Sequence, residues 1–141
     1  MSTSSPIGSI MLIDDNEIDH RMCKRVVERS GLVGEFITFL SAEEALDHLR
    51  QAGDRPVVDA ILLDVNMPRM DGFEFLETAT AELGERFARV VVMMLTTSLN
   101  PRDKERAQQF SVVRDYCNKP LIIEYLQRLA DILANDPETA K

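Results

Sequence analysis

Five short apolar runs, separated by segments with helical spacing, constrain this chain more than any other feature. The runs are Ser9 to Ile13, Glu35 to Leu40, Ala60 to Leu63, Val90 to Leu95 and, more weakly, Arg114 to Asn118. Short stretches of this kind suit strands buried on both faces, as in a parallel sheet. The first helical segment carries Ile18, Met22, Val26 and Val27 and stops at Ser30-Gly31, where glycine can take the left-handed conformation that ends a helix. The second opens on Ser41-Ala42-Glu43-Glu44, a capping-box pattern in which Ser41 and Glu44 satisfy free amides reciprocally; it carries Ala45, Leu46 and Leu49 and ends near Gly53. Gly72 to Leu83 repeats the helical period through Phe73, Leu76, Ala79 and Leu83. Asn100-Pro101 then caps a mostly charged helix, Arg102 to Phe110, which buries little beyond Ala107 and Phe110. The last helix carries Ile122, Leu126, Leu129 and Leu133 and frays at Asn135-Asp136-Pro137. Strand and helix thus alternate five times, which predicts an α/β, doubly wound domain: a parallel sheet with helices on both faces and right-handed crossovers.

At 141 residues the chain is about one ordinary domain. Its 16 basic and 24 acidic residues leave a net charge of −8, which argues against general affinity for nucleic acid phosphates or anionic lipid. Cys23 and Cys117 form no C-x-x-C pair and read as reduced thiols in a cytosolic core. The N-terminal Met-Ser-Thr-Ser-Ser-Pro lacks the basic start and apolar run of a signal peptide, and the longest unbroken apolar run, Val90 to Leu95, falls far below the roughly 20 residues that span a membrane. The expectation is a cytoplasmic protein with neither nucleic acid nor membrane as a partner.

In parallel sheets ligands bind beyond the carboxyl ends of the strands, so the residues just after each strand carry the chemistry. The first run ends in Asp14-Asp15-Asn16-Glu17, with Asp19 following. Two adjacent carboxylates would repel a phosphate but suit a hard divalent cation such as Mg²⁺, which takes one or two carboxylates, keeps several waters and fills its remaining sites with phosphate oxygens. Equally, acids there suit the start of a helix. Asp64 ends the third run, where an ionised carboxylate is poorly solvated unless paired with cations; it fits a metal ligand, a nucleophile, or a turn residue bonded to nearby amides. Pro68 and Gly72 read as turn punctuation, and Asp71 as the cap of the helix that follows. The fourth run ends in Thr96-Thr97-Ser98, hydroxyls that suit a phosphoryl oxygen or loop amides. The fifth ends in Lys119-Pro120, a lysine that serves either as a salt-bridge partner or as a phosphoryl clamp. His20 has no second His or Cys at metal spacing and reads as a surface residue. Together these groups contain the parts that metal-assisted phosphoryl transfer to a carboxylate requires.

Leu12-Ile13-Asp14-Asp15, Leu62-Leu63-Asp64-Val65-Asn66-Met67-Pro68-Arg69-Met70-Asp71-Gly72, Leu95-Thr96-Thr97-Ser98 and Tyr116-Cys117-Asn118-Lys119-Pro120 closely resemble the receiver domain of two-component response regulators. The resemblance runs from about Ser9 to Leu133. It implies the CheY-like, flavodoxin-type (βα)5 fold with strand order 2-1-3-4-5, a flexible segment over 1–8, a receiver domain over 9–133 and a frayed tail over 134–141. It further implies that Asp64 accepts a phosphoryl group from a phosphohistidine of a sensor histidine kinase or phosphotransfer protein. Asp14, Asp15, Asp64 and the backbone carbonyl of Asn66 would bind Mg²⁺, Lys119 would contact the phosphoryl group, and Thr96 would close on it. Thr96 is preferred to Thr97, which should point to the opposite side of an extended chain. Movement of Thr96 would be coupled to the ring of Tyr116, a two-state switch read by an unknown downstream protein on the face made by the fourth helical segment, the fifth strand and the last helix. With the resemblance using nearly the whole sequence, a stand-alone regulator, monomeric or weakly dimeric, is implied.

Two departures from the family pattern stand out. The stretch Gln109-Phe110-Ser111-Val112-Val113-Arg114 lacks the glycine that many members have before strand five, and Ala79 to Ala88 is long and charged. Two other functions compete with the phosphoacceptor reading. A metal-dependent phosphohydrolase of the aspartate-nucleophile type needs a second acid two residues past Asp64, where this chain has Asn66, which cannot transfer the proton. A receiver-like interaction module without phosphoryl chemistry would have no need of Asp14, Asp15, Asp64 and Lys119 together.

Overall fold

The computed structural model describes residues 5–52 and 58–135. Strands β1 (Ile7–Ile13), β2 (Val33–Phe39), β3 (Ala60–Leu63), β4 (Val91–Thr96) and β5 (Val113–Asn118) alternate with helices α1 (Glu17–Ser30), α2 (Ala42–Gln51), α3 (Gly72–Leu83), α4 (Glu85–Ala88), α5 (Pro101–Ala107) and α6 (Ile123–Asn135). The five strands form one sheet in the order β2-β1-β3-β4-β5, with every neighbouring pair parallel. Strand order reverses beside β1, so β1 and β3 lie side by side at the sheet centre, with Ile13 opposite Leu63. Asp14 and Asp64 follow those two residues and therefore leave the sheet together.

Period-two alternation along the central strands divides the core in two. Met11 and Ile13 of β1, Ile61 and Leu63 of β3, and Val92 and Met94 of β4 pack with α2 and α3 on one face. Ile10 and Leu12, Ala60 and Leu62, and Val91, Met93 and Leu95 pack with α1 and α6 on the other. Phe75 and Phe87 meet edge to face at 6.0 Å beneath the first face. Burying an aromatic side chain of that size stabilises the fold by about 1.5–3 kcal/mol, which fixes the sheet that carries the strand ends.

Several local expectations change. β1 starts at Ile7, a fully buried residue, so residues 7 and 8 belong to the sheet and not to an N-terminal segment. β2 starts earlier than its apolar run, and α5 stops at Ala107, short of Phe110. α6 continues to Asn135, past the expected start of the tail. Residues 1–4, 136–141 and Gly53 lie outside the described residues. On α1, Ile18 and Met22 are exposed; the inward stripe is Cys23 and Val27, because the helix turns a different face to α6 than Ile18 and Met22 suggest. Ile122 likewise stays outside α6 and partly exposed, leaving Leu126, Leu129 and Leu133 to pack.

The helix ends follow capping rules with one exchange. Asn16 caps α1 by accepting from the amides of Ile18 and Asp19, and Gly31 ends it at a φ of 67°. Ser41 accepts from the Glu44 amide without the reciprocal bond; the full capping box occurs on α3, between Asp71 and Glu74. The long charged stretch resolves as a chain reversal at Gly84, at a φ of 57°, followed by the single turn α4. The turn before β5 needs no glycine: Phe110 donates to the Ala107 carbonyl and accepts from Val113, and Arg69 is the sole non-glycine with positive φ among the described residues. No helix among the described residues is long and apolar enough to cross a membrane.

Candidate functional site

Asp14 is fully buried at the end of β1, Asp64 is nearly so at the end of β3, and Asp15 is exposed. Each offers a carboxylate oxygen lying within 4.8 Å of the other two. Parallel pairing explains the convergence: the amide of Asp64 donates to the Ile13 carbonyl, so the two chains leave the sheet in register. Gly72 then lets the loop after Asp64 fold back tightly. A Cβ at that position would lie 2.4 Å from the Asp64 carbonyl oxygen, which excludes any side chain there without movement of the loop.

Lys119 enters from the end of β5, through a cis peptide bond to Pro120 and an amide bonded to the Thr96 carbonyl. Its Nζ is 2.7 Å from Asp14 Oδ2, 2.7 Å from Asp19 Oδ2 and 3.4 Å from Asp64 Oδ2. Burial alone would lower the lysine's pKa, but the Asp14 and Asp19 carboxylates outweigh it and hold the ammonium above its usual range. One ammonium faces three carboxylates, and Asp15 adds a fourth beside Asp14 and Asp64, so the site is under-neutralised. Burial raises Asp64 from 3.8 to about 6, with the adjacent Asp14 adding to the rise and Lys119 opposing it. Burial also raises Asp14, against the pull of Lys119 and the Asn16 amide.

The donor set fits a hard divalent cation. Asp14 Oδ1 accepts from the Asn16 amide, and the buried Asp14 Oδ2 is paired with the Lys119 ammonium at 2.7 Å, a charge that Asp19 and Asp64 share. Buried carboxylates that share one ammonium are under-compensated, and a cation held by Asp14, Asp15 and Asp64 would offset that cost. Asn66 lies exposed two residues past Asp64, in the loop that Gly72 closes.

Thr96 ends β4 fully buried, its hydroxyl accepting from the Ser98 amide, while Thr97 is exposed; the register is as expected from the apolar run. Ser98 donates to Asp103 of α5, tying this loop to the helix beyond it. Tyr116 is half-buried on β5, packed toward Met94 and its neighbours, with its buried hydroxyl beside the Ser98 side chain. Desolvation raises its pKa. His20, half-buried on α1, donates from Nε2–H to the Asp14 carbonyl oxygen at 2.6 Å, since a carbonyl can only accept.

Asp19 is the site residue that strand-end reasoning did not assign. A signal for it exists in the sequence: Asp19, Cys23 and Val27 are spaced by four, and the last two form the buried stripe of α1. An acid leading such a stripe points toward the sheet edge and not to solvent.

The response regulator receiver domain family model matches residues 10–131 of the chain. The chain is 34% identical over 124 residues to the probable methanogenesis regulatory protein FilR2 of Methanothrix harundinacea, covering 86% of this chain and 78% of that protein. It is 34% identical over 103 residues to the response regulator Rcp1 of Synechocystis, covering 71% and 69% of the two. Among solved structures, a two-component response regulator from Cytophaga hutchinsonii superposes with a TM-score of 0.86 at 28% identity, over 92% of this chain and 98% of that one. The Mn(2+)-bound form of response regulator Rcp1 superposes with a TM-score of 0.69 at 27% identity, over 91% and 93%.

Proposed function

The chain belongs to the response regulator receiver domain family, and on that premise we propose that it is a phosphoacceptor switch in two-component signalling. Asp64 receives the phosphoryl group of a phosphohistidine carried by a sensor histidine kinase or phosphotransfer protein. A P–N bond breaks and a P–O bond to the Asp64 carboxylate forms, leaving an acyl phosphate. The observation that carries this reading is the convergence of Asp14, Asp15 and Asp64 oxygens within 4.8 Å of one another, with the Lys119 ammonium at 3.4 Å from Asp64.

Asp14, Asp15, Asp64 and the Asn66 carbonyl would hold Mg²⁺, which would supply charge neutralisation between the carboxylate and the incoming phosphoryl oxygens. That the similar response regulator Rcp1 has a Mn(2+)-bound form supports a divalent cation as the ligand of this chain. Lys119 supplies a point charge for a phosphoryl oxygen, and Thr96, two strands from Asp14, supplies a hydroxyl at the same sheet edge. Rearrangement of Thr96 draws on the Tyr116 ring, which is half-buried on the neighbouring strand β5. Output passes to a downstream protein through the face that α5, β5 and α6 present, without nucleic acid or membrane.

The test is incubation with acetyl phosphate, with and without Mg²⁺, followed by intact mass measurement. One base-labile adduct that requires Mg²⁺ and is absent from Asp64→Asn is expected. A folded protein that binds Mg²⁺ and yet gains no mass would defeat the reading.

A further inference from the structure

The Lys119 ammonium is shared unevenly. Its hydrogen bond to Asp19 is 2.7 Å long, whereas its contact with Asp64 is 3.4 Å. Charge-assisted N–H···O bonds close to about 2.7–2.9 Å when unhindered, so the ammonium sits between Asp14, also at 2.7 Å, and Asp19, and only leans toward Asp64. Asp19 is fixed on the rigid start of α1, its amide held by the Asn16 side chain, while the lysine reaches it on a long flexible stem. The two side chains are 12% and 26% exposed, so water screens the pair only in part.

We propose, resting on the phosphoacceptor reading above, that Asp19 is a positioning residue that holds the Lys119 ammonium on the α1 side of the pocket, and that the ammonium leaves Asp19 when a phosphoryl group occupies Asp64. An ammonium has three protons to donate, and Asp14, Asp19 and Asp64 already stand around it. A phosphoryl group on Asp64 brings further anionic oxygens that compete for the same donors. The Lys119–Asp19 pair is whole without that group and weakened with it, so Asp19 weighs against the phosphorylated form. Removing its charge while keeping its shape shifts the balance toward that form.

The test uses beryllofluoride, which mounts on a carboxylate oxygen as a tetrahedral mimic of a phosphoryl group. It is titrated into the full chain at saturating Mg²⁺ and followed by fluorine NMR. Asp19→Asn should tighten binding by about five- to tenfold, the scale of coupling between contacting charged residues. Asp19→Glu, which keeps the charge, should restore most of the wild-type affinity. In a Lys119→Gln background the gain from Asp19→Asn should fall below about twofold, because its route through the ammonium is gone. An undiminished gain in that background would show plain charge removal and overturn the proposal, as would no gain in the single variant. Wild-type protein that binds Mg²⁺ but no beryllofluoride would instead overturn the phosphoacceptor reading itself.

Discussion

Replacing Asp64 by Asn should stabilise the metal-free domain at neutral pH, although it removes a charge from beside a lysine. Burial lifts Asp64 from 3.8 to about 6, so its ionised form is disfavoured in the folded state relative to the unfolded chain. For a carboxyl with a raised folded pKa, the folded state binds the more protons between the two values. Stability is therefore greatest below pH 3.8, declines as pH rises through about 6, and is level above it. At about 1.4 kcal/mol for each tenfold change, ionising Asp64 costs about 3 kcal/mol at pH 7 and about 1 kcal/mol at pH 4.5. Asparagine resembles the protonated acid in shape and carries no such cost. Urea unfolding in EDTA should thus show Asp64→Asn more stable than wild type by about 2–3 kcal/mol at pH 7, shrinking to about 1 kcal/mol at pH 4.5. A variant less stable at pH 7, or a difference that does not shrink on acidification, would refute the reasoning by showing that Lys119 more than offsets the desolvation of Asp64.

Three further outcomes follow from the same geometry. Mg²⁺ should raise Tm, with stabilisation of about 2.7 kcal/mol at a hundred times its Kd, and Asp14→Asn should abolish most of the rise in a calorimetric titration. Gly72→Ala places a Cβ against the Asp64 carbonyl oxygen and should cost about 1–3 kcal/mol in urea unfolding while slowing adduct formation from acetyl phosphate; unchanged stability would mean the loop yields freely. Phe75→Ala, at a fully buried site packed on Phe87, should cost about 3–5 kcal/mol by urea unfolding without altering which residue is modified.

The sheet was legible because β1, β3 and β4 are buried on both faces and write their burial as unbroken apolar runs. β2 and β5 are edge strands with exposed positions along them, so their apolar pattern is diluted and does not mark where they start. The start of α3 is legible, since Asp71 caps it and Phe73 and Leu76 pack inward; its end is not, because the charged stretch Ala79 to Ala88 runs through Gly84 into α4. On α1 the apolar residues Ile18 and Met22 do not mark the buried side, because hydrophobicity alone does not say which side of a helix meets its neighbour; the pairing with α6 selects Cys23 and Val27 instead. Asp14, Asp64 and Lys119 could be found because strand ends in a parallel sheet share one edge. Asp19 reaches that edge from inside a helix, one turn beyond the strand, and its role depends on the long reach of Lys119 across the pocket.

The most direct measurement is chemical trapping of the modified side chain. Borohydride reduces an aspartyl phosphate to homoserine, which peptide mass spectrometry then locates. After incubation with acetyl phosphate and Mg²⁺, homoserine should appear at position 64 alone, and should vanish when Mg²⁺ is withheld. Homoserine at 14, 15 or 19, or at no position in folded, Mg²⁺-bound protein, would contradict a phosphoacceptor at Asp64.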